Sequence, residues 1–166
     1  MVSKIIEEVT AANAEYASKF TKGSLPLPPG RKFAVVTCMD ARLDPAKALG
    51  LEEGDAHVIR NAGGRAKDAL RSIIISQQLL GTEEVIVIHH TDCGMLTFED
   101  SELHGLLKER FGKDIADLDF LPFSNVEASV RDDIALIRSS GVVRSEIPVS
   151  GYVYEVETGR IRPVEQ

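Results

Sequence analysis

The chain of 166 residues has no tryptophan, only two cysteines and few aromatics, 5% in all. Two cysteines are too few for a disulfide-stapled scaffold, although one bridge stays open. Basic residues are also in deficit, 19 against 26 acidic for a net charge of −7. A nucleic-acid partner, which needs a basic face for phosphates, is therefore not expected. No uncharged apolar run approaches the roughly 20 residues of a membrane helix, so no membrane partner is expected. Internal repeats and low-complexity stretches are missing too. No strand leads into G-x-G-x-x-G or a P-loop, which argues against nucleotide binding. The opening MVSKIIEEVTAANAEY is acidic and amphipathic, unlike a secretory signal or an Arg-rich transit peptide. The expected location is cytoplasmic, where thiols stay free to bind metal.

What is present suits one folded domain over residues 1–166, with 43% apolar and 27% charged residues. Residues 3 to 20 read as a helix with Ser3 as cap and Ile5, Val9, Ala12, Tyr16 and Phe20 at steps of three and four. Three prolines then hold Gly23–Gly30 (GSLPLPPG) extended. Residues 1–30 thus form a helical arm on a stiff tether, packed either on a face of its own domain or on something other than its own core.

From Lys32 onward strand and helix alternate. Phe33–Thr37 reads as a buried parallel strand, Ala56–Arg60 as a second strand and Glu84–His90 as the third and strongest. Asp44-Pro45 opens a short helix, and further helices are expected over Asp68–Leu80 and about Glu102–Phe111. Ser124-x-x-Glu127 reads as a capping box for a helix reaching Ser140. The tail suggests strands at Glu146–Val149, Gly151–Glu155 and Arg160–Pro163. The fold class is α/β, a mostly parallel sheet flanked by helices, whose ligands bind beyond the carboxyl ends of the strands.

The chemistry-bearing residues fall at those ends. Cys38, Asp40 and Arg42 follow the first strand, Asn61, Gly63 and Gly64 the second, and His90, Asp92 and Cys93 the third. Two thiolates and an imidazole are zinc ligands, and three protein ligands leave a fourth position open, as in catalytic zinc sites. The alternative is a pair of small buried cysteines and a core histidine. Asp40 and Arg42, two apart, can pair in extended chain, so that the guanidinium fork orients a carboxylate. A plain surface ion pair is the other reading.

The blocks Cys38-Met39-Asp40-Ala41-Arg42, Arg60-Asn61-Ala62-Gly63-Gly64 and His90-Thr91-Asp92-Cys93-Gly94 resemble the signature of the β-class carbonic anhydrases. Gly151–Glu155 and Thr158-Gly159 resemble that family's terminal strands, so the likeness runs from about residue 4 to 163. The resemblance implies one Zn²⁺ per chain on Cys38, His90 and Cys93, and a catalytic dyad of Asp40 and Arg42. It also implies a homodimer embraced by the N-terminal helices, with tetramers open. The reaction implied is attack of a zinc-bound hydroxide on carbon dioxide, giving bicarbonate and a proton. The two thiolates cancel the charge of zinc, which makes an acceptor such as Asp40 more useful. The missing tryptophan speaks against the bicarbonate-regulated subtype.

Asn61, Gly63, Gly64 and Met95 are candidate walls of a pocket for a small gas. His57, His89 and His104 are candidates for passing the proton on, each with a structural alternative. Arg60 reads as either an interface charge or a support for the site, and Asp92 as the cap of a turn. Carbonyl sulfide and carbon disulfide hydrolases share these ligands, so such a hydrolase is the alternative. A non-catalytic zinc or thiol sensor is a third reading, disfavoured because a sensor has no need of an oriented carboxylate.

Overall fold

Six consecutive residues, Phe33–Cys38 (β1), are buried along their whole length. A strand with both faces covered has to sit mid-sheet, and β1 does. Ala56–Asn61 (β2) and Glu84–His90 (β3) flank it in parallel, Val149–Tyr154 (β4) joins β3 in parallel, and Ile161–Pro163 (β5) closes the edge antiparallel. This is a computed structural model, and it describes residues 3–165. The first two residues of the expected arm and Gln166 lie outside the described residues.

The order β2-β1-β3-β4-β5 means that the chain leaves β1 to one side, then crosses back over it to build β3. The crevice of such a sheet opens where the direction reverses, between the carboxyl ends of β1 and β3. Cys38 ends β1 and His90 ends β3.

Helices Ala66–Gln78 (α3) and Val126–Ser139 (α5) supply Ile73, Val130, Ile134 and Ile137 to the core beside Val36, Val85, Val87 and Val153. A Cβ at Gly151 would overlap Val130 and Ile134, so the bare backbone there lets α5 lie directly on β4. Cutting a side chain as deeply buried as Ile137 to alanine costs about 2–5 kcal/mol. The remaining α-helices among the described residues are Lys4–Ser18 (α1), Pro45–Leu49 (α2) and Asp100–Phe111 (α4).

Several boundaries differ from the sequence expectation. Helix α5 is capped by Asn125, whose side chain accepts from the Ala128 amide at 2.8 Å, and not by Ser124. The capping box belongs instead to Glu99 and Glu102, so α4 starts two residues earlier than expected. Helix α3 also starts two residues early, because a carboxylate from α5 caps it: Asp133 accepts from the Ala66 amide at 3.0 Å. Ser3 sits at the cap position of α1 without a side-chain hydrogen bond. The two tail strands expected around Pro148 are one, β4, and Glu146 lies outside it.

The arm does not cover its own chain. Helix α1 has no buried residue, and Ile5, Ile6, Val9, Tyr16 and Phe20 are all exposed. It is tied at its far end, where Tyr16 Oη donates to Glu53 at 3.1 Å and Lys22 pairs with Glu52 and Glu53.

Candidate metal centre

At the crevice, the Cys38 and Cys93 sulfurs and a His90 ring nitrogen all lie within 4.8 Å of one another, and the three residues are buried. Both cysteines are free thiols. His90 Nδ1 donates to the Thr91 carbonyl at 2.9 Å, which turns the lone pair of Nε2 inward. Nε2 is fully enclosed and has no hydrogen-bond partner. A buried nitrogen left unpaired costs stability unless something else binds it. Two thiols and an orphaned imidazole nitrogen at ligand spacing fit a zinc ion.

The electrostatics agree. Cys93 beside it, and then His90, hold the Cys38 thiol far below its ordinary range, while that same contact with Cys38 and burial push Cys93 up. One proton thus leaves this pair readily, and a cation has to displace the other. Burial, the largest influence, would lower the His90 imidazole, but Cys38, the Thr91 carbonyl and Asp40 together raise the group.

Asp40 lies just beyond β1, its side chain 16% exposed. Its Oδ1 accepts from the Arg42 amide at 2.8 Å and from Arg42 Nε at 3.0 Å, and its Oδ2 from Nη2 at 2.8 Å. These bonds, side chain first and backbone second, hold the carboxyl well below the usual carboxylate range. Oδ2 sits 3.8 Å from His90 Nε2, so the carboxylate is beside the ligand cluster.

Two further residues hold this arrangement: Arg60, which sequence left undecided, and Asp92, which was expected to cap a turn and instead binds Arg42. Arg60, from the end of β2, donates from Nε to the Cys38 carbonyl at 3.0 Å and from Nη2 to the Asp40 carbonyl at 2.8 Å. Asp92 grips the far side of Arg42, its Oδ2 accepting from Nη1 at 2.6 Å and its carbonyl from Nη2 at 2.8 Å. Its backbone has φ of +54°, so the residue is strained as well as exposed. Nothing in local spacing announces either contact, because partner and donor are 20 or more positions apart.

A cavity of about 340 Å³ opens on the cluster, lined among others by Asp40, Ala62, Gly63, Cys93 and Met95. Of the four expected wall residues, the structure brings Gly63 and Met95 to it. Gly63, at φ +75°, leaves no room for a side chain, since a Cβ would stand 2.9 Å from Met95. Gly64 and Asn61 lie behind the wall. A Cβ on Gly64 would meet the Cys38 nitrogen at 2.9 Å, and Asn61 exchanges hydrogen bonds with the Arg65 backbone. Phe123, from the loop before α5, packs on the same cluster and was not anticipated. None of the three histidines considered for proton transfer lines the cavity. His89 is fully enclosed, His57 contacts Ser76 at 2.7 Å, and His104 Nε2 donates to the Leu118 carbonyl.

A mostly parallel sheet with a cysteine–histidine–cysteine cluster at its topological switch, flanked by a fixed carboxylate, defines an α/β protein with a cluster able to hold a metal ion. The family model for carbonic anhydrase matches residues 33–161. A β-carbonic anhydrase 1 from Mycobacterium tuberculosis is 43% identical over 163 residues, covering 96% of this chain and 98% of that protein. A carbon disulfide hydrolase from Saccharolobus solfataricus is 32% identical over 191 residues, covering all of this chain and 92% of the other. The crystal structure of the carbonic anhydrase from Streptococcus mutans superimposes with a TM-score of 0.94 at 48% identity, covering 99% of this chain and 100% of that one. The chain belongs to the β-carbonic anhydrase family.

Proposed function

We propose that this protein is a zinc lyase that hydrates carbon dioxide to bicarbonate and a proton, with Cys38, His90 and Cys93 holding one zinc per chain. The observation that carries the reading is the enclosed, unpartnered His90 Nε2 facing two free thiols, with Asp40 alongside. Zinc, when bound, supplies the Lewis acidity that makes water a nucleophile near neutral pH.

The chain's own residues do the rest. Asp40 is held ionised by Arg42, and lone pairs of Oδ2 not used by Arg42 point a proton acceptor at the ligand cluster. Accepting a water proton there aims the oxygen at the substrate carbon, an interaction already in place before reaction. The wall of Ala41, Ala62, Gly63, Gly94 and Met95 offers no charge, which suits a small linear gas. Water plus carbon dioxide yields bicarbonate and one proton.

The uncovered stripe of α1 supports a homodimer in which each arm lies on the other copy. The free thiols support a reducing, cytoplasmic location. No helix among the described residues is long and apolar enough to cross a membrane.

The second reading is a carbonyl sulfide or carbon disulfide hydrolase, favoured by the carbon disulfide hydrolase relative that covers the entire chain. One experiment separates them: zinc-loaded protein assayed side by side for carbon dioxide hydration and for sulfide release from carbonyl sulfide and carbon disulfide. Fast hydration with slow sulfide release is expected. Sulfide release as the faster reaction would transfer the assignment to the hydrolase, and a zinc-loaded chain inert toward all three gases would return it to the sensor.

A further inference from the structure

Behind the ligand cluster lies a buried polar group that the proposed reaction does not use. Asp133 and Ser129, one turn apart on α5, and His89 on β3 are all enclosed. Asp133 accepts from Arg65 Nε and Nη2, each at 3.1 Å, and from the Ala66 amide at 3.0 Å. His89 Nε2 faces Asp133 Oδ2 at 3.1 Å and the Gly64 carbonyl at 3.2 Å, while its Nδ1 meets Ser129 Oγ at 2.6 Å. The Phe123 ring stacks on His89, and the Arg65 guanidinium lies over the same ring.

Stability alone is a weak reason for this group. Well-packed apolar residues of the same volume commonly stabilise a core as much as a buried ion pair does. Its geometry has a more particular consequence. His89 immediately precedes His90, so whatever fixes the His89 ring fixes the end of β3. Gly64 is pressed against Thr37 and Cys38, with space for no Cβ, so whatever fixes the Gly64 carbonyl fixes the backing of Cys38. Gly63, in the same turn, lies close against the Met95 wall, where an added Cβ would stand 2.9 Å from the Met95 side chain. Asp133 touches both sides of this arrangement, through Arg65 and Ala66 on one and His89 on the other.

We propose that Asp133 is a positioning residue of the metal centre: from α5 it locks the Gly63–Gly64 turn and the His89 ring together, and so aligns Cys38 and His90 as ligands. The proposal rests on the zinc-enzyme reading above. Asparagine at 133 keeps the volume but turns an amide NH₂ toward a site where Arg65, Ala66 and His89 all present N–H groups. At least one of those contacts must break, and the turn shifts.

The test compares full-length wild type and Asp133→Asn, each loaded with zinc or with cobalt. Cobalt absorption reports the geometry of the cysteine–histidine–cysteine set whether or not any gas is hydrated. The expected result is unchanged metal stoichiometry, shifted cobalt bands and chelator-driven zinc loss about 10-fold faster, the usual size of losing a partner that orients a ligand. The rate for carbon dioxide is expected to fall mainly in kcat, with KM little changed. A folded Asp133→Asn with wild-type cobalt bands and wild-type zinc loss overturns the proposal. Should Asp133→Asn not fold, Ser129→Ala removes the His89 Nδ1 contact, together with a local bond to the Val126 carbonyl within α5, and is expected to shift the bands the same way by less. Unaltered bands in that variant also overturn it. A wild type that binds cobalt through thiolates yet acts on no gas defeats the enzyme reading alone, and the spectra still decide this one.

Discussion

The carboxyl end of the sheet and the N-terminal helix treat their side chains in opposite ways. At the sheet end nearly every polar atom has a partner within the chain: Arg42 is held by Asp40 and Asp92, Arg60 by two carbonyls, Asp133 by Arg65, Ala66 and His89. The one enclosed atom of the ligand set left over, His90 Nε2, is the atom a metal would take. In α1 the unmet need is apolar. A stripe from Ile5 to Phe20 is exposed, and the contacts that tie the arm down near Glu53 are exposed as well. Both regions are unfinished in the isolated chain, and the kind of deficit tells what completes each: a lone pair asks for a cation, an apolar face for another apolar face.

The largest effect expected from breaking the first region is that of Cys38→Ser. It should lose bound zinc and with it about 10³-fold or more of turnover, since water without the metal is a poor nucleophile. Metal analysis beside the hydration assay checks it, and full zinc occupancy in the variant would remove Cys38 from the ligand set.

Deleting residues 1–22 tests the second region. If the stripe is covered by another copy, the truncated chain should aggregate or unfold at lower temperature, because each large apolar side chain bared is worth about 1.5–3 kcal/mol. Light scattering and thermal denaturation read this directly. A monomer that behaves equally well with and without the arm contradicts the dimer.

Asp40→Asn sharpens the first region further. Zinc should stay while kcat falls about tenfold or more, equivalent to about 1.4 kcal/mol of lost transition-state stabilisation. Wild-type turnover with zinc in place would make the Asp40–Arg42 pair a structural feature only.

A smaller and cleaner contrast lies in two glycines with nearly the same left-handed backbone, Gly64 at φ +69° and Gly81 at φ +70°. Alanine at Gly81 meets open space and should cost about 1 kcal/mol of backbone strain. Alanine at Gly64 has that strain and also an overlap with the Thr37 and Cys38 backbone, so about 3 kcal/mol or more is expected. Equal melting temperatures for the two variants would mean that the turn is not pressed on Cys38.

The smallest effect is expected from Lys22→Met, which removes exposed ion pairs to Glu52 and Glu53. Thermal stability should be unchanged at physiological salt, as such pairs are screened. A clear drop would show that the tether, and not only the stripe, anchors the arm.

Much of this was legible in the sequence for definite reasons. The runs Phe33–Cys38 and Glu84–His90 carry enough β-branched residues to announce buried strands, and the polar residues right after them mark the crevice. Cys38, His90 and Cys93 stood out because thiols and imidazoles at strand ends are few in this chain. Asp40 and Arg42 stood out because they are two apart. The helix starts were read less well: Ser124 and Asn125 are both good caps side by side, and only the path of the chain chooses Asn125.

By itself, then, the sequence determined what depends on near neighbours: the alternation of strand and helix, the burial of the central strands, and which side chains arrive at the end of which strand. The tertiary structure alone decided the long-range pairings, Asp92 on Arg42, Arg60 on the Cys38 and Asp40 carbonyls, and Asp133 capping α3 while reaching His89. The physical reason is that a hydrogen bond depends on distance in space, and residues 20 to 70 positions apart come within about 3 Å only after the sheet has set its strand order.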